Sequence, residues 1–284
     1  MGFKIGVLLP EGTRDLPAAL ERAAAWGASG VQFYARNAYY DLLDAPDSRI
    51  DEVRRRMVSL GLQPAAVCGE LGGHGFQRAS ENPAKIAATK RIVEIAERLG
   101  ASVVTTHIGV VPADSASPVY QEMVRAMAEL GRHAAAHGIR LAVETGPEMP
   151  LVLRGFLERT DGGVGANMDP ANLVMVQRCN AAQAVRELSG WIVHTHAKDG
   201  VNCRPCDPQA VYDAFAEGGF ANLVAKTGEL FRETPLGEGD VDFPDYLAAL
   251  REVGYDGFLT IERETGADPE ADIRKAVGFL KALV

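Results

Sequence analysis

The sequence is poor in cysteine and has no long apolar run. Its 4 cysteines are scattered through 284 residues, which is not the dense pattern of a small secreted protein held by disulfides. Cys203 and Cys206 form a C-x-x-C pair, but a zinc site needs two more ligands and no second pair exists. We therefore interpret both as incidental thiols.

No stretch approaches the roughly 18 apolar residues that a membrane-spanning helix requires. The apolar run within residues 1–10 is also too short for a signal peptide. We therefore expect a cytoplasmic protein that does not associate with membranes.

Basic residues are outnumbered, with 29 Lys and Arg against 38 Asp and Glu, and the formal net charge is −9. Proteins that bind nucleic acid usually present a basic surface to the phosphates. The acidic balance argues against a nucleic-acid partner and is easier to reconcile with a small neutral substrate.

Short apolar runs alternate with longer amphipathic segments along the whole chain. Several of these segments end in a glycine that can take the left-handed conformation of a helix C-terminus, namely Gly27, Gly61, Gly100, Gly138 and Gly254. The eight apolar runs begin near Lys4, Gly30, Gln63, Ser102, Arg140, Val164, Trp191 and Phe258. Eight strand–helix units predict a single (β/α)8 barrel domain over residues 1–284. A doubly wound open sheet is the alternative, but it normally carries a Gly-rich turn after the first strand, and none follows VLLP.

The longest departure from this alternation lies at about residues 200–242. Insertions on the C-terminal face of a barrel often cover or build the active site. We expect either a lid or a contact with a second subunit, so a homo-oligomer stays possible on the sequence.

Alternation along the strands places four polar side chains on the barrel axis. Because residues two apart share a face of a strand, Glu144, Asp169, His196 and Glu262 point inward at the C-terminal ends of strands five to eight. Converging carboxylates repel one another, and a divalent cation relieves that repulsion. Carboxylates with one imidazole suit Mn²⁺, Co²⁺ or Mg²⁺ and are compatible with Zn²⁺. His194 shares the face of His196 but lies one pleat deeper, where we expect it to orient other groups.

Three stretches carry a resemblance to a known family: GANMDPANL (Gly165–Leu173), HTHAKDG (His194–Gly200) and the segment from Pro235 to Glu264 that ends in TIERE. Over essentially its full length the chain resembles the xylose isomerase-like barrel superfamily of sugar phosphate isomerases and epimerases. The resemblance implies a metal set formed by Glu144, Asp169, His196 and Glu262, with Mn²⁺ as the first choice of metal. In the epimerase branch, two glutamates on opposite faces of the substrate remove and return a proton through a cis-enediolate. The resemblance therefore implies catalytic roles for Glu144 and Glu262.

The sequence departs from the epimerase pattern at two places. Asn172 stands where those enzymes often carry a histidine, and the arginine that follows their metal-binding histidine is replaced by Lys198 nearby. Both residues stay candidates for contacting the substrate. His107, at the end of strand four, and Glu70 and His74, after strand three, are further candidates.

We expect a metal-dependent sugar isomerase or epimerase that acts on a ketose, inosose or keto-sugar. A lyase or dehydratase that uses the same site on a keto-sugar or keto-glycoside is the main alternative, and a sugar-binding barrel without activity is another. An abasic-site endonuclease is disfavoured, because that chemistry uses several zinc ions and many histidines, and this chain has 6 histidines.

Overall fold

Eight parallel strands close into a barrel in the computed structural model, which describes residues 2–284. The strands are β1 (Lys4–Leu8), β2 (Gly30–Tyr34), β3 (Gln63–Cys68), β4 (Val103–Thr106), β5 (Arg140–Glu144), β6 (Val164–Met168), β7 (Ile192–Ala197) and β10 (Phe258–Ile261). Each begins within one residue of its predicted start. The (β/α)8 prediction is confirmed. The open-sheet alternative is wrong, because β1 pairs with both β2 and β10 and no barrel strand is left as an edge.

The helices begin and end at residues that favour helix termini. Most carry proline in the first turn, and several are capped by an Asp or Asn side chain. The five glycines predicted to end helices have φ between +69° and +84°. The helices are α1 (Leu16–Ala25), α2 (Asp47–Ser59), α3 (Asn82–Leu99), α4 (Pro118–Ala136), α5 (Pro150–Leu157), α6 (Pro170–Asn172, continued by a π-helical turn, Leu173–Gln177), α7 (Ala181–Glu187), α8 (Pro208–Ala216), α9 (Phe220–Thr227), α10 (Phe243–Glu252) and α11 (Pro269–Lys281). Within residues 2–284, none of them combines the length and apolar character needed to cross a membrane.

The main core lies between the strands and the surrounding helices, while the barrel interior changes character along its axis. Ala66, Val103 and Ala142 form a small apolar cluster of their own inside the barrel. Above it lie amide, hydroxyl and imidazole groups, including those of Gln32, Thr105, Asn167, His194 and Thr260, all of which are buried. The charged side chains follow at the C-terminal ends of the strands. The barrel thus buries its polar groups where they can reach one another.

The region predicted as an insertion at about 200–242 contains regular structure. β8 (Asp199–Asn202) pairs antiparallel with β9 (Phe231–Thr234), and α8 and α9 lie between them along the chain. The sequence did not reveal these strands, because each has only 4 residues and neither shows clear alternation.

Candidate active site and metal centre

Four side chains from neighbouring strand ends meet at the mouth of the barrel. Glu144 ends β5, Asp169 follows β6, His196 lies in β7 and Glu262 follows β10. Each offers one ligand atom, and these atoms all lie within 4.8 Å of one another. All four residues are buried, with exposures of 0–6%. The structure therefore brings together the quartet that the sequence predicts.

Two carboxylate oxygens in this cluster have no donor apart from Nδ1 of His196. The Asp169 Oδ1 atom accepts from the Asn172 backbone N–H at 2.9 Å, whereas Asp169 Oδ2 and Glu262 Oε2 are buried and have no partner when His196 Nδ1 carries no proton. Leaving such groups unpaired costs about 1–3 kcal/mol each. Three carboxylates and one imidazole form a donor set that divalent Mn, Co, Mg or Zn accepts. The residues present thus fit a divalent cation, and the cluster could hold one.

Gln32, which the sequence reasoning missed, fixes the orientation of the His196 ring. The Gln32 Oε1 atom lies 3.2 Å from His196 Nε2 and 3.0 Å from His194 Nε2. Gln32 in turn donates from Nε2 to the Thr105 hydroxyl at 3.0 Å. An amide oxygen accepts only, so it favours a proton on Nε2 of His196 and leaves Nδ1 to bind a metal. The inward alternation of β2 could have identified Gln32, since it is the polar inward residue of that strand.

The Nδ1 atom of His196 faces all three carboxylates. It lies 2.6 Å from Glu262 Oε2, 3.4 Å from Asp169 Oδ2 and 3.7 Å from Glu144 Oε1. Burial acts to lower the pKa of His196, but Glu262 and Glu144 outweigh it and raise the pKa well above its usual range. Burial raises the pKa of Asp169. A positive charge is therefore favoured at this point, either as a proton on His196 or as a cation.

Lys198 is paired with one of the two predicted catalytic glutamates. Its Nζ atom donates to Glu262 Oε1 at 2.9 Å and to Glu264 Oε2 at 3.2 Å. Burial raises the pKa of Glu262, but Lys198 and His196 outweigh it and hold that pKa well below its usual range. Glu262 is thus kept ionised, the form that can accept a proton.

The other glutamate, Glu144, is held by amides and by a histidine. Asn172 donates to Glu144 Oε1 at 2.9 Å and Asn167 donates to Oε2 at 3.2 Å. His107 Nε2 lies 3.6 Å from Glu144 Oε1, and His107 Nδ1 lies 3.1 Å from Glu70 Oε2. Burial opposes protonation of His107, yet Glu144 and Glu70 raise its pKa to about 10. A charged His107 therefore lies between Glu70 and Glu144 and contacts both. The Asn172 side chain, predicted to contact the substrate, already donates to Glu144.

A cavity of about 680 Å³ opens directly above the quartet. Glu70, His74, His107, Asn172 and Lys198, the predicted substrate contacts, all line it. His74 is held between Asp213 at 3.2 Å and Glu217 at 3.3 Å. The five residues thus share one space with the quartet.

The insertion supplies an aromatic wall to this cavity, formed by Tyr212, Phe215, Phe220 and Phe231. The rings of Phe215 and Phe220 stack with centroids 4.2 Å apart, and those of Phe220 and Phe231 lie 5.6 Å apart. The sequence reasoning missed this wall because the four rings come together only through the β8–β9 pairing and the two helices between them. Cys203 and Cys206, in the same insertion, are free thiols.

An eight-stranded parallel barrel with buried acidic residues and a histidine at its mouth is the frame of many enzymes that act on small molecules. The sequence profile of the xylose isomerase-like TIM barrel family matches residues 20–283. The chain belongs to this family, and the resemblance seen in the sequence is confirmed.

Two solved structures and one curated relative show how far the similarity extends. A xylose isomerase domain protein from Planctomyces limnophilus is 28% identical, with a TM-score of 0.81 over 100% of this chain and 98% of that one. A D-psicose 3-epimerase from Clostridium cellulolyticum H10, solved with D-tagatose, is 14% identical, with a TM-score of 0.74 over 99% of both chains. L-ribulose-5-phosphate 3-epimerase UlaE of Escherichia coli is 38% identical over an alignment of 74 residues that covers 23% of this chain and 26% of the relative. The matched segment thus spans about a quarter of that relative.

Proposed function

We propose that this chain is a divalent-metal-dependent sugar isomerase or epimerase. It would move a proton on a carbon next to the carbonyl of a ketose, inosose or other keto-sugar. The observation that carries the proposal is the buried quartet of Glu144, Asp169, His196 and Glu262, in which two carboxylate oxygens face Nδ1 of His196 and have no other donor. Membership of the family and the activities named for the epimerases described above support it.

The two glutamates divide the proton transfer between them. Glu262, kept ionised beside Lys198, is suited to remove a proton from substrate carbon. Glu144, ionised beside a protonated His107, would receive a proton from His107 Nε2, 3.6 Å away, and pass it to the same or the neighbouring carbon. A divalent cation in the quartet would polarise the carbonyl and stabilise the negative charge that develops on its oxygen. We expect Mn²⁺ first, with Co²⁺, Mg²⁺ or Zn²⁺ as alternatives.

Exchange of substrate hydrogen for solvent deuterium tests this proposal. The purified protein with Mn²⁺ is incubated in D₂O with a panel of ketoses and inososes, and deuterium at the carbon next to the carbonyl is followed by NMR. We expect exchange in the wild type and a loss of about 10²- to 10⁴-fold in Glu144→Gln and in Glu262→Gln. Glu148→Gln is the matched control, because Glu148 is also a buried glutamate but does not line the cavity.

Two results would contradict the proposal. Full exchange in either glutamine variant of the quartet would reject the proton-transfer role of that glutamate. Elimination products in place of deuterated sugar would assign the site to a lyase or dehydratase.

A further inference from the structure

The basic side chains that line the cavity are already paired with acidic ones. Besides His196 of the quartet, they are His74, His107, Lys198 and Arg232. His74 lies between Asp213 and Glu217, His107 contacts Glu70 and Glu144, Lys198 binds Glu262 and Glu264, and Arg232 lies 3.4 Å from Glu229. Among residues 2–284, the cavity therefore offers no basic side chain free of a carboxylate.

The backbone around the seventh barrel strand, β7, is also occupied by a carboxylate. In many (β/α)8 enzymes, the loops after strands seven and eight bind the phosphate of the substrate through backbone N–H groups. Here Asp199, two residues after β7, is buried and accepts four backbone N–H groups. The donors are Gly200, Gly237, Gly239 and Val241, at 2.8–3.1 Å. A side chain at Gly239 would collide with Asp199, so this close approach depends on glycine.

The loop after the eighth barrel strand, β10, is filled in the same way by Glu233 of β9. Its Oε1 atom accepts from the backbone N–H of Glu264 at 3.0 Å and of Thr265 at 3.4 Å. The same atom accepts from the Arg263 side chain at 2.9 Å. The side chains of Glu233 and Arg263 are only 7% and 8% exposed. The N–H groups and the arginine that could bind a phosphate here are thus already bound to the Glu233 carboxylate.

Apart from neutral polar side chains such as Gln77 and Thr106, the remaining surface of the cavity is acidic or apolar. Carboxylates of Glu11, Glu70, Asp213, Glu233 and Glu264 line it, in addition to Glu144 and Glu262 below. The aromatic wall faces them from the insertion. A phosphate dianion would meet like charges at one side and rings without charge at the other.

We propose that the substrate of this site is an uncharged sugar and that the chain discriminates against phosphorylated sugars. Glu233 takes the backbone donors on the cavity wall that a phosphate group would use, and Asp199 binds a further set of N–H groups outside the cavity lining. This inference rests on the proposed function. It also separates this chain from the UlaE relative, whose name specifies a 5-phosphate substrate.

Matched pairs of substrates test the inference. Deuterium exchange with Mn²⁺ is measured for L-ribulose against L-ribulose 5-phosphate and for D-fructose against D-fructose 6-phosphate. We expect kcat/KM to be at least about 30-fold higher for the free sugar of a pair, the factor for two like unit charges roughly 8 Å apart at an effective dielectric constant of 20. Equal or faster exchange of the phosphorylated sugars would overturn the inference and leave the proposed function standing. Exchange of none of the four, and of no sugar in the wider panel of ketoses and inososes, would contradict the proposed function and remove the basis of this inference with it.

A variant that removes one negative charge tests whether Glu233 causes the discrimination against phosphorylated sugars. Glu233→Gln keeps an amide oxygen as acceptor but removes the negative charge beside Arg263. We expect the ratio of kcat/KM for phosphorylated over free sugar to rise about tenfold. Glu158→Gln is the control, because Glu158 is half exposed outside the cavity, and it should leave the ratio unchanged. An unchanged ratio in a folded Glu233→Gln variant would show that Glu233 does not exclude phosphate.

Discussion

Replacement of Asp169 by asparagine should stabilise the metal-free protein and abolish its stabilisation by metal. Asp169 is fully buried, and its Oδ2 atom has no donor other than His196 Nδ1, 3.4 Å away. Burial raises its pKa, so stability that is present below the unfolded pKa of 3.8 is lost as pH rises through the folded pKa. The asparagine side chain resembles the protonated form of Asp169 and keeps the acceptor for the Asn172 N–H. Without metal at pH 7, we expect a gain of about 1–3 kcal/mol in the free energy of unfolding.

Added metal should cancel most of this gain, and the two stabilities should cross over when the metal-free gain is below about 2.3 kcal/mol, the difference between the two metal responses. At a Mn²⁺ concentration 100 times its Kd, the wild type gains about 2.7 kcal/mol. For a chain of this size that corresponds to a rise in Tm of roughly 5–10 °C. If loss of the Asp169 ligand weakens affinity about 100-fold, the variant gains only about 0.4 kcal/mol at the same concentration.

Thermal unfolding of both proteins, with EDTA and with increasing Mn²⁺, measures this crossover. Asp242→Asn is the matched control, because Asp242 also caps a helix through its side chain but is exposed and belongs neither to the quartet nor to the cavity lining. That variant should keep the full response to metal. An equal rise in Tm for Asp169→Asn and the wild type would refute the reasoning, since the cation would then bind elsewhere.

Two further predictions concern buried groups beside the quartet. Gln32→Met removes the acceptor for His196 Nε2–H and should weaken Mn²⁺ binding about 10- to 100-fold by calorimetric titration; unchanged affinity would mean that Gln32 does not orient the ligand. Glu148 is buried with one hydrogen bond, from the Val111 N–H at 3.3 Å, and burial raises its pKa from 4.5 to about 8. The stability that the protonated Glu148 contributes is therefore fully present below pH 4.5. It is lost as pH rises through about 8, which lowers the free energy of unfolding by at most roughly 5 kcal/mol. Denaturant unfolding should show Glu148→Gln gaining on the wild type between pH 5.5 and 8.5, and an equal difference at both pH values would contradict the assignment.

The barrel and the quartet could be predicted because both depend on local alternation. A strand such as RLAVE gives its inward residues directly, and a barrel brings the C-terminal ends of all its strands to one mouth. This reasoning placed Glu144 and Glu262 in one cluster although 118 positions separate them in the chain. Side chains whose position follows from strand register alone are therefore readable from sequence.

The contacts of the insertion could not be predicted in this way. Glu233 reaches the loop after β10 only because β9 pairs antiparallel with β8, which places Glu233 opposite Gly200. The residues FRET do not predict that pairing, because this strand is too short and lacks the alternation of apolar and polar residues that indicates a strand. The sequence thus revealed the groups that would bind the metal, but not those that exclude phosphate.

The charges of the site connect the proposed metal binding with the proposed exclusion of phosphate. With His196 neutral, Glu70, Glu144, Asp169 and Glu262 carry four negative charges, which a divalent cation, Lys198 and a protonated His107 would match. Glu264, next to Lys198 on the cavity wall, then adds a negative charge that nothing in this set balances. Because the groups that hold the metal leave no excess positive charge, a phosphate would need donors of its own. The backbone N–H groups of Glu264 and Thr265 on the cavity wall are already bound by Glu233. Selectivity for an uncharged sugar therefore follows from the same charge balance that favours the cation.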